Sequence, residues 1–180
     1  MIDWKLYSLK YVLNYEKKLY FKNNETYFLN KTAKTEEYYI YKFQKYLRKA
    51  EYYKFKNNRL LYYINVRKKN ILGIKLGFSV HCDCIDLGLH IYHASPFVIN
   101  GAAKIGKNFQ VMGNICIGNK KMNNEYVPKI CDNVTFGWNV VVYGDIFVCD
   151  NVFIGANSLI TTSIYKSGVY KGIISGSNFI

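Results

Sequence analysis

An apolar residue returns at every sixth position through much of the second half of this chain, a period that few folds accommodate. Ile99, Ile105, Val111 and Ile117 keep the step, and Ile130, Phe136, Val142, Val148, Ile154 and Ile160 resume it. Three residues after these positions come Asn108, Asn114, Asn133, Asn139, Asn151 and Asn157, with Asp145 in the same slot. One residue further on the side chains are small or apolar, from Ala103 and Phe109 to Val152 and Ser158. Gly106, Gly118, Gly137 and Gly155 directly follow column residues. Asparagine and glycine enter left-handed backbone at low cost, so the pattern reads as short strands joined by tight corners. Stacked coils of this kind bury a continuous column of Ile and Val that no single repeat could bury alone. The period predicts a solenoid.

One interruption breaks the phase. Ile117 and Ile130 are 13 residues apart where 12 would keep step, and Asn119 to Val127 carries no column pattern. It reads as a loop ejected from the coil. Loops on rigid scaffolds often carry function.

Before the repeat the chain changes character. Residues 1–78 hold 18 of the 25 Lys and Arg and 6 of the 12 acids, a local net of +12, against +1 for the remainder. They also hold 13 of the 18 tyrosines, while 11 of the 13 glycines lie beyond them. Tyr38, Tyr41, Phe43, Tyr46, Leu47, Tyr52, Tyr53 and Phe55 recur at three- and four-residue steps with lysines between, which predicts a helix. Asn57-Asn58 breaks it, Leu60 to Ile71 predicts a second helix, and Trp4 to Leu19 another that ends before Asn23-Asn24. The expected division is a basic helical segment over 1–78, a solenoid over 79–165 and a tail over 166–180.

The basic charge has more than one reading: a solvated face, or proximity to an anionic glycan or membrane surface. No nucleic-acid-binding motif accompanies it, and nucleic acid is not an expected partner. Five cysteines, Cys82, Cys84, Cys116, Cys131 and Cys149, form no CxxC pair. With no charged-then-apolar leader and no bilayer-length apolar run, the expectation is free thiols in a cytoplasmic protein. Cys131 and Cys149 are 18 apart, one coil of three hexapeptides, and are expected to stack as packing residues.

Chemistry concentrates in three histidines, His81, His90 and His93, within thirteen residues before the regular coils. A neutral imidazole is a natural general base near pH 7. Three imidazoles could also bind zinc, but no cysteine-rich set completes such a site, and no metal is expected.

Leu87-Gly-Leu-His-Ile-Tyr-His93, Phe97-Val-Ile-Asn100 and Ala103-Lys-Ile-Gly-Lys-Asn108 resemble the serine acetyltransferase-like hexapeptide-repeat acyltransferase family. Cys116-Ile-Gly-Asn-Lys120, Pro128-Lys-Ile-Cys-Asp-Asn133 and Val152-Phe-Ile-Gly-Ala-Asn157 continue the likeness, which is greatest to the branch of capsule and exopolysaccharide gene clusters. The resemblance implies a mainly β fold: a left-handed parallel β-helix with an N-terminal α-helical segment. It also implies a homotrimer or dimer of trimers, and acetyl-CoA as donor. It makes His93 the general base for an acceptor hydroxyl. The implied cofactor positions are Gly118, Asn119 and Lys120 at the loop entrance, then Gly137-Trp138 and Gly155-Ala156 at two corners. Lys171 is a further candidate for a CoA phosphate.

Three departures shape the functional expectation. Where the family has an aspartate that orients the histidine, this chain has Phe78 or Ser79, so Asp86, or else Asp83, is the expected substitute. The family's serine-binding histidine is replaced by Val127, and Gly168 to Ile180 lacks the usual Asn-Pro-Ala ending. The resulting expectation is O-acetylation of a surface-polysaccharide sugar or precursor. Serine O-acetyltransfer, a non-catalytic hexapeptide scaffold and a zinc-dependent hydratase of the same fold are the alternatives.

Overall fold

A computed structural model of the chain describes residues 1–120 and 126–176. Residues 121–125 of the ejected segment and 177–180 of the tail lie outside the described residues. Four helices come first: α1 (Leu9–Tyr20), α2 (Asn24–Ala33), α3 (Glu36–Phe55) and α4 (Arg59–Leu76). Each begins at a side chain that accepts a hydrogen bond from the first turn, namely Ser8, Asn23, Thr35 and Asn58. Gly77, at φ +79°, ends α4 in the left-handed conformation. Three of the helices follow the apolar periods in the sequence. The fourth, α2, buries none of its residues, so its local pattern carried no signal; a capping box between Asn23 and Thr26 starts it.

From Phe78 onward the chain is a parallel β-helix. Its strands are two to four residues long and form parallel sheets of six, five and three strands, one on each face of the coil. Registers advance by 18 residues per turn, as in Val98↔Cys116 and Val141↔Leu159. All ten column residues are buried, as are the eight small or apolar residues that follow four positions later. The six periodic asparagines have φ between 53° and 61° and stack into two ladders. Asn108 donates to Asn133 and Asn133 to Asn151; Asn114 donates to Asn139 and Asn139 to Asn157. Each corner thus supplies both the turn geometry and a bond to the coil beside it. Asp145 does not join them: the left-handed residue at its corner is Gly144.

The ejected segment also has a clear place. Cys116 pairs with Val141 and Gln110 with Thr135, 25 residues apart instead of 18. The interruption is therefore seven extra residues at one corner, inside a single step of the coil. Residues 166–176, set apart as a tail by sequence, carry the strands Gly168–Tyr170 and Ile173–Ile174, which pair with Val152–Ile154 and Leu159–Ile160. Cys131 and Cys149 lie partly buried on successive coils, and all five cysteines are free thiols.

Helices and solenoid share one core, with Ile40, Phe43 and Leu47 packed among the apolar residues of the first coils. What joins them at the solenoid's open end is more polar. Strand backbone there has no preceding coil to bond with, and side chains from the helices take that coil's place. Lys69 donates to the Val80 carbonyl, Arg48 to those of Ile85 and Asp86, and Gln44 to that of Leu89. Glu51, Glu16 and the Tyr20 hydroxyl accept from the N–H groups of Asp83, Gly88 and Ile91. Arg48 also pairs with Glu16 at 2.8 Å and Glu51 at 2.9 Å, all three side chains being buried. Burial opposes the charge of Arg48, but the two carboxylates outweigh it and hold the guanidinium ionised. Several charges of a segment that reads as a solvated basic face are thus interior groups.

Candidate active site

His93 lies at the corner between the five- and six-stranded sheets. The strand His90–Ile91 delivers it, and the turn Ala94-Ser95-Pro96 carries the chain on to Phe97–Ile99. Its side chain is 57% exposed, open enough to meet a substrate. Its Nδ1 lies 3.5 Å from Oε2 of Glu36, the first residue of α3, and the other carboxylate oxygen accepts from the Ala94 N–H. One carboxylate thus bonds the corner and faces the ring that it bears. A proton on Nδ1 facing Glu36 leaves Nε2 free to accept one. That is the arrangement a general base requires.

Trp138 stands beside the histidine, with ring centroids 5.9 Å apart. It lies two coils on at the same corner, one coil past Gly113, which pairs with it in register. A Cβ on Gly113 would come within 2.3 Å of the indole and 2.7 Å of Ser95 Oγ, so glycine is what lets the ring lie flat over this corner. Gly137 and Gly155-Ala156 follow along the same edge. A Cβ at Gly137 would lie 2.7 Å from the Ala156 nitrogen, so this glycine is required by the approach of the next coil. Lys171 continues the edge beside Gly155. Four of the seven residues expected at the cofactor site therefore share the histidine's edge, and Trp138 and Ala156 are exposed on it.

Gly118, Asn119 and Lys120 do not. They leave the far end of the strand Ile115–Gly118, at the opposite edge of the six-stranded sheet. There Asn119 accepts from Asn100, and the Lys120 carbonyl from the Tyr143 hydroxyl. Within one chain they stand about 13 Å, a four-residue strand, from the His93 edge.

Nor does Asp86 reach His93. Seven residues back along a coil that turns a corner about every six, it sits at the other edge of the five-stranded sheet. Its carboxylate takes the Met1 amine at 2.9 Å and the Leu87 N–H at 2.7 Å. Asp83 pairs with Lys54. Phe78 is buried against Phe43 and Phe97, and Ser79 is paired with Val98. The carboxylate at the histidine is Glu36, 57 residues upstream, visible in the sequence only as the acidic start of a helix after Thr35.

The other two histidines are placed differently. His90 is covered by Tyr20 in an edge-on contact of 4.9 Å, and burial pushes its imidazole below the usual range. The His81 ring packs over Gly101. Among the described residues no three His, Cys, Asp or Glu side chains converge as a metal set.

A hexapeptide solenoid with a helical cap and an open histidine corner is a recognisable class of architecture. No protein-family model matches the chain. The Escherichia coli (strain K12) protein named colanic acid biosynthesis acetyltransferase WcaB is 33% identical over 82 residues, 46% of this chain and 51% of that one. The serine acetyltransferase of Neisseria gonorrhoeae superposes with a TM-score of 0.69 at 20% identity, over 89% of this chain and 62% of that one. A solved serine acetyltransferase in complex with CoA superposes at 0.62 with 18% identity, over 74% and 55%. The chain spans about half the length, or less, of the curated relatives it matches, serine acetyltransferases among them. Its fold is that of these serine acetyltransferases, a left-handed parallel β-helix with helices before it. Among the described residues no helix is long and apolar enough to cross a membrane.

Proposed function

We propose that this chain is an acetyl-CoA-dependent O-acetyltransferase, with a hydroxyl of a surface-polysaccharide sugar or its precursor as acceptor and His93 as general base. The observation that carries the reading is an open imidazole with Nδ1 on Glu36, on an edge lined by Trp138 and Ala156. In this reaction Nε2 takes the acceptor's proton as its oxygen attacks the thioester carbonyl. The tetrahedral oxyanion is held by a hydrogen-bond donor of the corner, the C–S bond breaks, and the CoA sulfur leaves with a proton returned by the imidazolium. No covalent enzyme intermediate is needed.

Copies of the chain complete the donor site in this reading. The six-stranded sheet bears an exposed or half-exposed stripe of Val98, Cys116, Val141, Leu159 and Ile173, each in register with the next. Such a stripe favours burial against another subunit. A trimer about an axis parallel to the solenoids sets one copy's Gly118-Asn119-Lys120 edge against the next copy's His93 edge, and CoA lies between them. The likeness to a colanic acid acetyltransferase and Val127 in place of a serine-binding histidine favour a sugar over L-serine.

With acetyl-CoA, the purified chain is expected to release free thiol only when an acceptor is added, and faster with sugars or nucleotide sugars than with L-serine. A dye assay across that panel checks it. Turnover with L-serine alone would move the reading to serine O-acetyltransfer, and silence across the panel would leave a scaffold. Glu36 acts as a positioning residue. Glu36→Gln is expected to lower kcat about tenfold, less than loss of the base itself, with little change in KM for acetyl-CoA.

A further inference from the structure

The outer side of the helical cap carries a cavity that acetyl transfer does not use. It measures about 330 Å³, lies between α2, α3 and α4, and is lined by Lys31, Lys42, Lys45, Lys49 and Lys68 together with tyrosines of α2 and α3. No Asp or Glu lines it, and among the described residues none of the five lysines has an ion-pair partner. Two of them, Lys42 and Lys68, lie over tyrosine rings. Solvated lysines on a helix spread apart; here they converge on one concavity.

Lys45 records the cost of that convergence. Its ammonium is pushed below the usual range by burial first, then by the charges of Lys49, Lys17, Lys31 and Lys42. An anion bound among them removes that repulsion. The lining has no arginine fork, which would match a planar carboxylate, and ammonium groups suit a compact anion with many oxygens. A second hollow of about 250 Å³ shares Lys42, Tyr46 and Lys68 and is floored by Ile71 and Leu72. The two hollows adjoin through these three residues, and Ile71 and Leu72 give the second an apolar floor that the first lacks.

We propose that the cleft between α2, α3 and α4 binds a multiply charged phosphate group of the diphosphate class, through Lys31, Lys42, Lys45, Lys49 and Lys68. The group belongs to a soluble phosphate compound or to the head of a phospholipid whose apolar part follows the adjoining hollow. Neither His93 nor Glu36 nor Trp138 lines the site, and its occupancy is read by binding alone, so it stands apart from the acetyl-transfer reading.

Titration calorimetry of the full chain with inorganic pyrophosphate at low ionic strength tests it. Saturable one-to-one binding is expected, with a rise in Tm on addition. Lys42→Ala/Lys45→Ala/Lys49→Ala should weaken it at least about tenfold and abolish the rise. Its own Tm without ligand should be no lower than wild type, since the substitution removes repulsion. Lys5→Ala/Lys107→Ala/Lys166→Ala deletes the same charge from exposed positions elsewhere and should bind as wild type. Absence of saturable binding, or an equal loss in both triple variants, overturns the site. Phosphatidylcholine vesicles with and without cardiolipin, whose head carries two phosphates, then distinguish the sources. Vesicle binding that requires the anionic lipid and is displaced by pyrophosphate identifies a lipid head. Pyrophosphate binding with no vesicle binding identifies a soluble phosphate.

Discussion

Alanine at position 93 is expected to reduce acceptor-dependent thiol release from acetyl-CoA by about 10²- to 10⁴-fold, the usual contribution of a positioned base. The loss should fall on kcat, because an imidazole that acts on the acceptor's proton contributes little to holding the donor. Binding of CoA, measured directly by calorimetry, is expected to stay within about twofold of wild type. The fold should be untouched, since the ring is more than half exposed and fills no part of the core. Glu36 supplies an internal check. If it acts through His93, adding Glu36→Gln to His93→Ala should cost almost nothing further, whereas independent roles would multiply. A rate in His93→Ala within threefold of wild type would remove this residue from the chemistry.

The largest expected loss of stability is at Arg48. Arg48→Met leaves Glu16 and Glu51 buried without a cation, and strips partners from the Ile85 and Asp86 carbonyls. Burial already pushes the Glu51 carboxyl up, with Arg48 the main group opposing it. Breaking a buried pair from one side costs about 3–5 kcal/mol, which for a chain of this size lowers Tm by roughly 10 °C. Urea unfolding followed by circular dichroism measures it. An isolated buried ion pair can often be replaced by apolar residues with little penalty. Here Arg48→Met/Glu16→Leu/Glu51→Leu is expected to remain destabilised, because the backbone groups these side chains satisfy would still lack partners. Recovery to wild-type stability would show that the three residues serve only one another.

The solenoid was legible because its determinants are local. Ile99 to Ile160 announce the column, Asn108 to Asn157 the corners, and counting by six places Gly137, Trp138, Gly155 and Ala156 on one edge. The same counting, applied to Asp86, shows why sequence proximity misled: seven residues along such a coil lead round to another edge. Glu36 was out of reach for a different reason. Its contact with His93 depends on how α3 lies across the first coil, a tertiary arrangement with no periodic trace. The convergence of Lys31, Lys42, Lys45, Lys49 and Lys68 has the same origin, since three separate helices must pack before these charges meet. A count of +12 registers how many cations a segment has, and nothing about which of them end up inside.

The side chains that stand in for a missing coil also act as a stop. A parallel β-helix ends in a row of unpaired N–H and carbonyl groups, a template on which another chain can add. Residues of α1, α3 and α4 occupy seven of those groups, so that end offers a newcomer far less to grip. A chain stripped of its helices would be expected to grow end to end into fibrils, and the basic segment is therefore what keeps the molecule finite.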